Sequence, residues 1–147
     1  MDDLLGVVRA VHEISMVTNT RLEPVLSRLR LTYQTAQALW AVDPDLPAPP
    51  MRAVAQRLHC NASNLTFIAK QLEDRGYAAR RRDPRDGRSS VLELTAAGVR
   101  ARGEVIEAAL EATPFAALPP EDLRALAGTL ARVAETGSAP ANLLQDL

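Results

Sequence analysis

Near the middle of the chain the apolar spacing changes from helical to alternate. Leu65, Ile68 and Leu72 recur at three- and four-residue steps, whereas Leu92 and Leu94 lie two apart. The first spacing lines one face of a helix and the second one face of a strand. Gly76 stands where the helical stretch ends, as a left-handed C′ residue should, and Asn61 stands at its start as an N-cap. A shorter helix, Met51–Leu58, precedes it, with Pro50 suited to a first turn and Val54, Ala55 and Leu58 inward. Between the two lies a three-residue break, His59-Cys60-Asn61. His59 reads as a surface turn residue and Cys60 as a small apolar plug. After Gly76 two strands are predicted, Tyr77–Arg82 and Ser89–Leu94. Asp83-Pro84 opens the turn between them, and Asp86-Gly87 is expected to supply a positive-φ position. A helix, a tight turn, a second helix and a hairpin make a winged helix-turn-helix. That arrangement lays the second helix in a DNA major groove.

Helices are predicted on both sides. One runs from about Asp3 to Leu29, with Pro24 as a site of bending and a stripe of Leu4, Val8, Val11, Leu22, Val25, Leu26 and Leu29. Thr32 caps a second, reaching Val42 with Ala36, Leu39 and Trp40 inward. Asp43–Pro50 holds four prolines and reads as a loop. Thr95 caps a fifth helix, running through Val105 and Ile106 to about Ala112. Pro120 opens a last one, with acids in its first turn and a stripe of Leu123, Leu126, Leu130 and Val133. The tail from Gly137 is expected to fray. The fold class is mainly α with a small β-hairpin wing. Residues 1–30 and 103–147 are expected to form a helical dimerisation region around a DNA-binding domain at 31–102.

Charge is distributed unevenly. The 147 residues carry a net −1, yet Arg52–Arg102 holds eleven basic and five acidic residues, a net +6. The segments before and after it are acidic. A basic middle between acidic ends suits a polyanion partner, although a solvated charged hairpin has the same composition. One cysteine and two separated histidines give no metal-ligand spacing and no disulfide. No metal and no cofactor are expected. No apolar run approaches the roughly 20 residues of a membrane span, so no membrane partner is expected. The acidic N-terminus does not read as a secretory signal, and a cytoplasmic protein is expected. An enzyme is not expected, with no catalytic residues: no nucleophile–base pair or phosphate-cradling glycine loop is present.

The candidate reading face of the Asn61–Arg75 helix holds Asn61, Ser63, Asn64, Thr66, Phe67, Lys70 and Gln71. Amides can pair with adenine edges, and a lysine can reach guanine or phosphate. Phe67 either meets a thymine methyl or folds back on the wing. On the hairpin Arg80, Arg81 and Arg82 climb one strand, with Arg85 and Arg88 in the turn. An arginine on a narrow hairpin suits the minor groove. Asp83 or Asp86 would orient Arg88 by a charge-assisted pair. A charged edge hairpin that merely resists aggregation is the competing reading.

The stretch AVAQRLHCNASNLTFIAKQLEDRGYAARRRDPRDGRSSVLELTAAG resembles the core of the MarR family of bacterial transcription regulators. The matching marks are Leu58, the Ser63 region, Leu72-Glu73, Gly76, Arg80, Asp83-Pro84, Asp86-Gly87-Arg88, Leu94-Thr95 and Gly98. The resemblance implies a homodimer with intertwined terminal helices, binding double-stranded DNA at a pseudo-palindromic operator, as a repressor. It makes Ala62–Arg75 the recognition helix and Arg88 the wing arginine, with Asp86 as its partner. The DNA-binding set is therefore Asn61, Ser63, Asn64, Thr66, Phe67, Lys70, Gln71, Arg80, Arg82, Arg85, Asp86 and Arg88. It also implies a small-molecule effector, aromatic or anionic, at the junction of helices and head near His12, Met16, Tyr33 and Trp40. For any one of those four, core or interface packing is the favoured reading. The chain departs from the family in three ways. Phe67 stands where a basic or polar residue is usual. The Asp43–Pro50 loop replaces the short strand often paired to the wing. The first helix lacks the cysteine of the hydroperoxide sensors, and His and Cys are too sparse for a zinc sensor. The alternative function is a winged-helix protein-interaction module that has lost DNA binding.

Overall fold

The computed structural model describes residues 2–137. The sequence-predicted fraying tail therefore lies outside the described residues. The chain divides into two compact units, Met1–Thr113 and Pro114–Leu147.

The first unit contains α1 (Asp2–Arg28), α2 (Tyr33–Ala41), α3 (Met51–Arg57), α4 (Ala62–Asp74), β1 (Ala78–Arg82), β2 (Ser90–Leu94) and α5 (Ala96–Ala112). Local chemistry sets most of these boundaries. Thr32 and Thr35 close a reciprocal capping box at α2, each hydroxyl accepting the other's backbone N–H. Asn61 Oδ1 accepts Asn64 N–H at 2.8 Å to cap α4, and Thr95 Oγ1 accepts Gly98 N–H at 3.0 Å to cap α5. Gly76 ends α4 at φ +74°, the left-handed position where glycine costs least. His59 takes φ +50° in the α3–α4 break. Cys60 is half-buried against the core.

The core is formed by one face of each element: Leu22, Leu26 and Leu29 of α1 and the residue after it, Leu39, Val54, Leu65, Ile68 and Leu72, Leu92 and Val105. These cover only the C-terminal half of α1. Its N-terminal half presents Leu4, Val8 and Val11 to solvent. α1 continues through Pro24 as a single helix.

β1 and β2 pair antiparallel from Ala78↔Leu94 to Arg82↔Ser90. The proline-rich loop does not simply lose its strand. Pro50 bridges Val91 antiparallel, and Leu92 N–H donates to Pro49 O at 3.0 Å. The bridge stops at one rung because Pro50 has no N–H to extend a ladder. It also explains why Val91, on the opposite face from Leu92, is buried.

Two sequence expectations fail here. Trp40 is not inward but 47% exposed, while its neighbour Leu39 is fully buried. Gly87 has no positive φ; Gly76 is the only such glycine among the described residues. The constraint at Gly87 is space, since an added Cβ would lie 3.2 Å from Arg82 Nε.

The second unit contains a 3-10 turn, Pro114–Ala117, and α6 (Pro120–Gly137). None of α6 is buried, and its Leu123, Leu130 and Val133 are exposed. Among the described residues no helix is long and apolar enough to cross a membrane, and no cluster of His, Cys, Asp or Glu could hold a metal ion.

Candidate nucleic-acid interface

α4 buries Leu65, Ile68, Ala69 and Leu72 and turns Ser63, Asn64, Thr66, Phe67 and Lys70 outward. Gln71 is half-buried. Several of these polar groups already have partners. Asn61 spends its side-chain oxygen on the cap. Thr66 Oγ1 donates to Ala62 O at 2.9 Å, one turn back. Lys70 pairs with Asp74 one turn ahead. Phe67 is 63% exposed, so the fold-back onto the wing does not occur.

The wing is braced from within. Glu73 of α4 accepts Arg80 N–H at 3.0 Å and Arg80 Nε at 3.1 Å, tying α4 to β1. Those bonds, the backbone one foremost, hold the Glu73 carboxyl below its ordinary value. Arg81 pairs with Glu93 across the strands. Arg82 Nε donates to Gly87 O at 2.7 Å. Asp83 is buried and accepts Arg85 N–H at 2.9 Å, Arg85 Nε at 3.2 Å and the Ser89 hydroxyl at 3.4 Å. The Arg85 backbone N–H, followed by its guanidinium and Ser89, lowers the Asp83 pKa.

The expected Asp–Arg88 pairing is corrected by these contacts. Asp86 Oδ1 accepts the backbone N–H of Arg88 at 3.1 Å, not its guanidinium, and Asp83 takes Arg85. Both aspartates bond the backbone two residues on, the local geometry natural to Asp in a turn. Arg88 is then the wing arginine whose guanidinium has no hydrogen-bond or ion-pair partner among the described residues. Sequence reasoning also passed over Arg52. It is exposed on α3 and edges a 320 Å³ hollow with Thr66, Arg80 and Ser89. Its place in the first turn of the helix that Pro50 opens was the available signal.

A sequence model described as the MarR family matches residues 45–90, from the proline loop to the start of β2. AbsC, a MarR family transcriptional regulator from Streptomyces coelicolor, superposes with a TM-score of 0.75 at 22% identity, covering 92% of this chain and 95% of that one. The chain has the MarR winged-helix fold. CouR from Rhodococcus jostii RHA1, bound to p-coumaroyl-CoA, is similar at TM-score 0.73 and 18% identity, covering 91% and 92% of the two chains. NadR in complex with 4-hydroxyphenylacetate is similar at TM-score 0.70 and 23% identity, covering 88% and 90%. No curated protein matches the sequence.

Within this MarR fold a cavity of about 440 Å³ opens between α1, α2, α3 and α5. Leu22, Leu26, Ala36, Leu58, Val105 and Ala109 form apolar walls, with Tyr33 and Trp40 beside them. The structure thus brings Tyr33 and Trp40 together but not His12 and Met16, which are exposed on α1 and do not line it. Two lining residues were missed in the sequence. Arg57 is the cavity's one charged residue and donates to Ala41 O at 2.6 Å. Thr18 Oγ1 is buried with no hydrogen-bond partner. A cation next to Leu58 at the end of an amphipathic helix was the readable signal for Arg57; nothing local marked Thr18.

Proposed function

We propose that the protein is a DNA-binding transcriptional regulator, a repressor that acts as a homodimer on a pseudo-palindromic operator. The observation that carries this reading is Arg88. Its guanidinium is unpaired at the end of a turn that Asp83, Asp86 and Arg82 hold rigid. An unpaired cation carried on a braced, narrow hairpin suits the strong negative potential of a minor groove. Residues 31–102 would be the reading head, contacting DNA through Ser63, Asn64, Phe67 and Lys70 of α4 and through Arg82, Arg85 and Arg88 of the wing. The helical segments 1–30 and 103–147 would form the dimer. The uncovered apolar stripes on the N-terminal half of α1 and on α6 support this, because a second copy is the simplest cover for both. Light scattering should then give twice the chain mass.

The Tyr33–Trp40 cavity would hold the effector, a small aromatic anion. Its walls suit a ring, Arg57 suits a carboxylate, and the unpaired Thr18 hydroxyl suits a polar substituent. NadR, in the structure named above, carries 4-hydroxyphenylacetate, an aromatic carboxylate, and CouR carries an aromatic acyl-CoA. The protein would be a non-enzymic regulator of the cytoplasm.

The test is a salt titration of binding to duplex DNA from upstream of the protein's own coding sequence. Affinity should fall steeply with salt, and Arg88→Ala should reduce the logarithmic slope by about one per wing. An unchanged slope removes the wing assignment. The exposed Phe67 favours one other reading, a protein-interaction module without DNA binding. Absence of DNA affinity even at low salt would select it.

A further inference from the structure

We infer that Phe67 reads the 5-methyl group of a pyrimidine, so that binding depends on thymine or 5-methylcytosine at one position in each half-site. The inference rests on the DNA-binding reading above. Phe67 is the largest exposed side chain of α4 and lies at mid-helix. Two of its polar neighbours are engaged within the helix, Thr66 with Ala62 and Asn61 with the cap, while the exposed Asn64 amide one turn back has no partner among the described residues. The ring can neither donate nor accept a conventional hydrogen bond, so it cannot read the polar pattern of a base edge. The apolar group that major-groove edges present is the C5-methyl of thymine, and cytosine gains the same group on methylation. Nearby charge favours a polyanion over an apolar protein surface: Arg52 and Arg80 line one hollow with Thr66, the residue before Phe67, and Lys70 follows it on α4. The helix spacing fits as well. Asn64 precedes Phe67 by one turn, about 4.5 Å along the axis, close to the roughly 3.4 Å base step of one strand. An adenine paired with the Asn64 amide would then have its neighbouring pyrimidine under the Phe67 ring.

The experiment selects a duplex with the full-length protein from a randomised DNA library. Each thymine of the selected duplex is then replaced singly by deoxyuridine, which removes only the methyl. Replacement in one half-site should weaken wild-type binding about fourfold, the worth of burying one methyl. Replacing both half-sites should cost about fifteenfold. Phe67→Ala should bind the thymine and uracil forms equally. The ring is exposed, so this variant should melt with the wild type. Placing 5-methylcytosine instead of cytosine at that position should tighten wild-type binding only. Wild-type indifference to uracil at every position overturns the inference and leaves the DNA-binding reading intact. So does a Phe67→Ala variant that keeps the same discrimination. Failure to enrich any duplex overturns both.

Discussion

Gly98 lies in the first turn of α5, where the helix passes the root of the wing. A Cβ built there would stand 1.8 Å from Tyr77 O and 2.8 Å from Tyr77 C. Carbon and oxygen in weak contact prefer about 3.3–3.6 Å, so Gly98→Ala requires the two backbones to part by roughly 1.5 Å. Tyr77 is poorly placed to yield. Its N–H donates to Leu72 O at 2.9 Å, its hydroxyl donates to Leu29 O at 3.0 Å, and its carbonyl accepts Thr95 N–H at 3.0 Å. Overpacking against a held backbone costs about 1–3 kcal/mol, and losing the Thr95–Tyr77 bond adds about 1 kcal/mol. The sum, about 2–4 kcal/mol, corresponds to a Tm roughly 10 °C lower for a chain of this size. Gly103→Ala on the same helix is the matched control. Nothing lies within 4 Å of its added Cβ, and alanine in a helix interior should gain about 0.5–1 kcal/mol. Thermal unfolding followed by circular dichroism at one protein concentration compares them. If Gly98→Ala melts with the wild type or above it, the close approach of α5 to the wing root is wrong.

Two further predictions follow from the contacts. Asp83 and Glu73 are held below their ordinary pKa values. The unfolded chain therefore binds more protons than the folded one between the folded and ordinary values, and stability rises with pH across that window. Their contribution is complete above the ordinary values of 3.8 and 4.5 and disappears as pH falls through the lowered ones. Urea unfolding should show an acid loss that is smaller in the Asp83→Asn, Glu73→Gln double variant, and an equal loss in both proteins would refute the assignment. Trp40 is the only tryptophan and lines the cavity, so on the effector reading proposed above a small aromatic carboxylate such as benzoate should change the intrinsic fluorescence. Arg57→Ala should weaken that binding about tenfold or more, the worth of a charged hydrogen bond. Equal affinity in the variant would remove Arg57 as the anion's anchor.

The features legible in the sequence were those written locally. Caps at Thr32, Asn61 and Thr95 and the glycine stop at Gly76 are each settled by chemistry within four residues, and all four stand where the spacing puts them. What failed depended on distant neighbours or on few repeats. α2 has nine residues, too short a period to decide whether Leu39 or Trp40, about 100° apart on the helix, points inward. Gly87 fits a positive-φ turn by type, but its constraint comes from Arg82, five residues back. Met16 and Thr18 are two residues apart on α1, about 200° around the axis, so Thr18 lines the cavity and Met16 does not. The Asp–Arg pairs were misread for another reason. Charge complementarity suggested Arg88, whereas an aspartate in a turn finds the backbone N–H two residues ahead first.

Four of the five acids inside the basic segment divide into two kinds, the Asp86 side chain holding only the Arg88 backbone. Glu73 and Asp83 are largely covered, with side chains 26% and 6% exposed, and each accepts a backbone N–H as well as an arginine. A DNA phosphate that displaced Arg80 or Arg85 from them would strand a carboxylate among fewer donors, so these pairs should persist on binding and act as braces. Asp74 and Glu93 are about half exposed and bind only the side chains of Lys70 and Arg81. Exposed pairs of that kind are worth about 0–1 kcal/mol; a phosphate can replace them at little cost. The +6 of the segment therefore overstates its unengaged charge and understates its order. Arg88 is unpaired from the outset, Lys70 and Arg81 are exchangeable, and Arg80 and Arg85 are held in place, which ranks their expected effects on the salt dependence of binding in that order.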